Sequence, residues 1–119
     1  MPARLTPAAP SVVAEALAAR DAGTLDRKGE KLLVKHFLAV LSEKAPGASV
    51  EVRVPPHSAI QVIAGVKHTR GTPPAVIETD ADTWLDVALG RTSWAEAVDS
   101  GTVRASGERT DLTALLPLT

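Results

Sequence analysis

The sequence predicts an α+β domain: a mostly antiparallel sheet of four to five strands, with helices packed on one face. Three observations carry that expectation. Residues 26–44 place apolar side chains at helical spacing. Residues 50–54 and 58–63 alternate apolar and polar across a short break. Two short capped helical segments then precede one more alternating segment, so the last strand returns after a helical crossover.

Residues 1–10 are rich in Pro and Ala and read as a loose lead-in; residues 11–119 read as one domain. Ser11 is the expected N-cap of a first helix carrying Val12, Val13, Ala16, Leu17 and Ala19, which stops near Gly23. The second helix runs from Asp26 to Lys44. Leu32, Leu33, Phe37, Val40 and Leu41 form its apolar stripe, Glu30, Lys31, Lys35 and Glu43 fill much of the rest, and Pro46-Gly47 ends it. His36 lies beside that stripe and reads as a core-edge residue.

Val50, Val52 and Val54 alternate with Ser49, Glu51 and Arg53, which predicts a half-buried strand broken by Pro55-Pro56. Ser58 to Ile63 form a second strand with Ile60 and Val62 on one face, and the short link through His57 suits antiparallel pairing. The polar segment 65–74 leaves room for a short strand around Val66 to His68. Ala75 to Thr79 form a strand that runs into Asp80, the expected N-cap of a helix over 81–89 ended by Gly90. Ser93 and Glu96 make a capping box for a helix from Trp94 to Ser100, ended by Gly101. Residues 102–106 form the last strand, with Val103 and Ala105 on one face, and Gly107 closes it. Asp111 then caps a short amphipathic turn containing Leu112, Leu115 and Leu116 before Pro117.

Composition excludes several classes. The 119 residues carry a net charge of −1, which gives no electrostatic footprint for nucleic acid. Aromatic residues make up 3%, only Phe37, Trp84 and Trp94, so platforms for stacking bases are missing too. Without Cys there is no disulfide, thiolate nucleophile or Cys-based metal site, which fits a reducing cytoplasm. No run of apolar residues is long enough to span a membrane, and residues 1–10 have no apolar core of a signal peptide. A cytoplasmic protein is expected.

The segment Ile77 to Leu118 is punctuated by Asp80, Gly90, Gly101 and Gly107. It reads as a strand, an acidic cap, an apolar helix ending in Gly, a second helix ending in Gly, a strand closing in Gly, and a Leu-rich tail. In these features it resembles the sterol carrier protein family. The run RGTPP at 70–74 and the two Trp are similar to a compact actinobacterial version, the bacterial sterol-carrier orthologue. The chain also looks somewhat like the C-terminal domain of mycothiol-dependent maleylpyruvate isomerases. The resemblance implies an apolar tunnel between one sheet face and the helices, binding of a fatty acid, acyl-CoA or other apolar ligand, and no catalysis or cofactor of the domain's own.

Periodicity aims Phe37, Leu41, Val52, Ile60, Val62, Trp84, Leu85, Trp94, Val98, Leu115 and Leu116 into the space between sheet and helices. They either fill it or line a ligand cavity, with the Leu-rich tail as a lid. Of the hydrophobic residues 20 are Ala, so either the helices pack unusually close or room is left over. Trp84 and Trp94 either anchor packing or flank a ligand mouth. His57, His68 and Arg70 are the polar-loop candidates for a ligand head group, Arg70 as an anion contact. With Glu78, the two His would be a minimal metal set, but no short His spacing supports one, and no metal is expected.

Catalysis finds little support: there is no G-x-S-x-G elbow or Gly-rich phosphate loop. Asp80 and Asp82 complement a helix dipole, and Glu96, Asp99, Glu108 and Asp111 read as caps or solvated positions. The leading expectation is a non-catalytic binder of an apolar ligand. The alternatives are a protein-interaction domain whose groove takes a partner's apolar segment, and an accessory part of a mycothiol-dependent enzyme.

Overall fold

The computed structural model describes residues 5–65, 75–107 and 110–119. The order is helix α1 (Pro10–Asp21), α2 (Arg27–Lys44), strands β1 (Val50–Val54), β2 (Ser58–Val62) and β3 (Ala75–Thr79), helices α3 (Ala81–Leu89) and α4 (Trp94–Asp99), strand β4 (Val103–Ser106) and a 3₁₀ turn at Thr113–Leu115. The four strands form one sheet in the order β2-β1-β3-β4. β1–β2 and β3–β4 are antiparallel, and β1–β3 is parallel. The α+β class and the mostly antiparallel sheet are therefore as expected. The strand suggested around Val66 to His68 lies outside the described residues.

Register sorts the two faces. Val50, Val52 and Val54 sit opposite Val62, Ile60 and Ser58 on one side, and Val50 and Val52 sit opposite Ala75 and Ile77 on the other. This apolar face carries the helices. The opposite face presents Glu51, Arg53, Gln61, Glu78 and Arg104, with Arg53 paired to Glu51.

Local chemistry sets the helix ends. Asp26, Asp80 and Ser93 each accept from the backbone N–H three residues on, and the Ser93 hydroxyl in turn donates to Glu96 Oε1, in place of the Glu96-to-backbone bond of a full capping box. Gly90 stops α3 with a left-handed φ of 77°. The expected cap at Ser11 is corrected: α1 starts at Pro10, so the cap position falls two residues earlier, at Ala9, which makes no side-chain cap bond. Proline needs no amide partner in the first turn and has its φ already set, so it begins the helix itself.

The buried side of α2 is also wider than the predicted stripe. Leu33, Val34, Phe37, Leu38 and Leu41 are fully buried, whereas Leu32 and Val40 flank them. The Ala content does not thin the interior. Among the described residues only Ala39, Ala75, Ala81, Ala88 and Ala97 are buried, and most of the other described Ala face solvent. The core between sheet and helices is filled chiefly by Leu, Val and Ile around Phe37 and Trp84.

Two devices attach the chain ends to this core. The Ala8 N–H donates to His36 Nδ1 over 2.9 Å, and Leu5 and Ala8 pack on the core. In the tail, Leu112 and Leu118 are buried, the Leu118 N–H donates to the Ala88 carbonyl, and Lys44 Nζ donates to the Leu115 carbonyl. Leu115 and Leu116 lie between these anchors, half-buried.

Candidate functional site

The eleven apolar candidates divide into three groups. Phe37, Leu41, Val52, Val62, Trp84 and Leu85 are at most 1% exposed and belong to one cluster. Ile60, Leu115 and Leu116 pack against it from the margin. Trp94 and Val98 lie on α4: Trp94, 6% exposed, belongs to the same core cluster, whereas Val98 is 40% exposed. Val98 therefore points outward rather than into the layer, because the six-residue helix α4 buries only Trp94 and Ala97.

The two Trp are thereby separated in role. Trp84 is sealed in the core, and its indole N–H donates to the Val34 carbonyl of α2 over 3.3 Å. Trp94 lines an open groove of about 330 Å³ with Ala95, Val98, Asp99, Ala105, Thr110, Asp111 and Thr113. Three segments build this groove. The α4 cap at Ser93 fixes the helix start, β4 brings Ala105 to the helical face, and the tail returns through Asp111. Asp111 Oδ1 accepts from both the hydroxyl and the backbone N–H of Thr113. Those bonds hold its carboxyl below the usual carboxylate range. The groove thus has an apolar floor and a rim carrying two carboxylates.

A second cleft, about 480 Å³, lies between the first turns of α2 and the β1–β2 turn, and is lined by Arg27, Lys28, Lys31, Pro56 and His57. The turn is closed by the His57 N–H donating to the Val54 carbonyl. His57 is 5% exposed in its side chain, and Nε2 sits 2.8 Å from Glu30 Oε1. Of the polar-loop candidates, His68 and Arg70 lie outside the described residues. His57 and Glu78 do not converge. Glu30 holds His57 on the helical side, while Glu78 sits opposite Arg53 and Arg104 on the other face. Among the described residues no group of three or more His, Asp or Glu is placed to hold a metal ion. Among them, too, no helix is long and apolar enough to cross a membrane.

Sequence reasoning missed most of both concavities. Arg27 and Lys28 carried no signal without knowing that the β1–β2 turn reaches the start of α2. Ala105 was legible as a helix-facing strand residue, but its exposure follows from α4 being too short to cover the end of β4.

A helical layer on one face of a small mixed sheet, with a Leu-rich tail tied back over α3, defines a sterol-carrier-like α+β domain. A family model described as bacterial SCP ortholog matches residues 26–118. The chain belongs to that family. No curated protein gives a significant match.

Proposed function

We propose that the protein is a non-catalytic binder of an apolar ligand, taken up in the open groove beside Trp94. Family membership and the groove support this reading together. The observation that carries it is that two of the apolar candidates, Trp94 and Val98, meet at a concave surface whose inner wall is Trp94 itself. Burying an alkyl chain contributes roughly 0.8 kcal/mol per methylene. Asp99 and Asp111 at the rim disfavour a carboxylate head beside them, so an uncharged end is preferred to that of a free fatty acid.

The Trp84→Phe variant leaves Trp94 as the sole indole. Titrating it with dodecanol and with dodecanoate should change the Trp94 emission saturably, more tightly for the alcohol. Emission that ignores both, in a folded variant, refutes the reading.

A second reading follows from the exposed groove and the closely filled interior: the groove takes an apolar segment of a protein partner. A saturable partner that Val98→Glu abolishes, with no lipid response, selects this second reading.

A further inference from the structure

We propose that the cleft between the first turns of α2 and the β1–β2 turn binds the phosphoryl group of a small soluble phosphate ester. The site lies apart from the Trp94 groove. β2 and β4 are the two edges of the sheet, three strand spacings or roughly 14 Å apart.

The cations of the chain are distributed unequally in their partners. Arg20, Arg53 and Arg91 are held by carboxylates, and Lys44 by the Leu115 carbonyl. Arg27, Lys28 and Lys31, like Lys35 and Arg104, have no ion pair with any described residue, and the first three line this one cleft. Their spacing of three and four along a helix sets like charges side by side, which is unfavourable unless a counter-charge is supplied. The nearest carboxylates form no ion pair with them: Asp26 accepts from the Gly29 N–H, and Glu30 faces His57.

His57 provides the second, independent element. Its ring is nearly buried and fixed through Nε2, yet Nδ1 has no partner among the described residues. Every buried polar side-chain atom among the described residues is satisfied, so Nδ1 is open to the cleft that His57 lines. With Nε2–H donating to Glu30, Nδ1 accepts a hydrogen bond from the P–O–H of a monoprotonated phosphate. The positive end of α2 adds to the same field. The recess of His57 favours a small ester over a lipid surface, since a flat bilayer reaches the Lys and Arg side chains but not a ring 5% exposed.

The test is an NMR titration of the full chain, following the ring C–H signals of His57 with His36 as internal control. The probes are inorganic phosphate and glycerol 3-phosphate, against sodium chloride of matched ionic strength. The proposal expects a saturable His57 shift with both phosphates and none with chloride. It also expects an affinity at least about tenfold weaker when Arg27→Gln, Lys28→Gln and Lys31→Gln are combined. These three side chains are exposed, so the fold is retained. No saturable His57 shift, or an unchanged affinity in the triple variant, overturns it. So does binding to phosphatidic acid vesicles without a response to the soluble phosphates.

Discussion

The indole N–H of Trp84 on α3 donates to the carbonyl of Val34 on α2, 3.3 Å away and 50 positions earlier in the chain. This bond ties the two helices that cover the sheet, and it satisfies the one polar atom of the largest buried side chain. Trp84→Phe removes the donor and part of the ring, and should cost about 1–2 kcal/mol. Trp84→Ala should cost about 3–5 kcal/mol. Urea denaturation followed by far-UV circular dichroism gives both, and equal stabilities of the two variants would contradict this role.

The N-terminal segment is fastened by a group that titrates. His36 is half-buried, packs edge-on against Phe37, and accepts the Ala8 N–H at Nδ1. Burial holds its pKa below the ordinary imidazole value. As pH falls through the ordinary imidazole range, the unfolded chain takes up the proton before the folded one. Stability therefore declines there, and the decline levels off once folded His36 is itself protonated. His36→Asn keeps an acceptor near the same place without a titrating group. Melting curves between about pH 7 and about pH 5 should show a smaller loss for the Asn variant than for the wild type. Parallel losses would contradict it.

The turn from α2 into β1 depends on one glycine. Gly47 has φ 148°, and a Cβ there would collide with the backbone of Ile63 and Ala64. The Ile63 carbonyl cannot retreat, because it accepts the N–H and hydroxyl of Ser49. Gly47→Ala should destabilise by about 2 kcal/mol or more. Gly23→Ala, where a Cβ meets open space at φ 74°, should cost only about 1 kcal/mol of left-handed strain. Denaturant midpoints compare the two.

α1 is fastened to α3 by Arg20, whose guanidinium lies 2.9 Å from Asp86 and is 14% exposed. Asp86 is 36% exposed, so solvent screens the pair. A double-mutant cycle with Arg20→Gln and Asp86→Asn should give a coupling of about 0.5–1 kcal/mol that shrinks in high salt. A coupling of zero at low salt would show that α1 is held by apolar packing alone.

What the sequence made legible was whatever rests on local periodicity or capping. The valine alternation in β1, the helix stripe around Phe37, and the caps at Asp80 and Ser93 each depend on side chains within a few positions. The parallel pairing of β1 with β3 was not legible, because it joins segments separated by β2 and a polar loop. The division of the two Trp was open for the same reason. Trp84 and Trp94 lie on successive helices, and only the tertiary arrangement seals one against Val34 and sets the other beside a groove. Ser11 misled because a good capping residue followed Pro10, and the proline began the helix first. The His57 cleft escaped because its cations sit on α2, some 26 to 30 positions before the turn that closes it.

Native mass spectrometry of freshly purified protein tests the binding reading most directly. An apolar ligand held in the Trp94 groove should appear as a co-purified mass that is lost on denaturation, and that Val98→Glu at the groove reduces. A clean apo mass from cells and after incubation with dodecanol would contradict it.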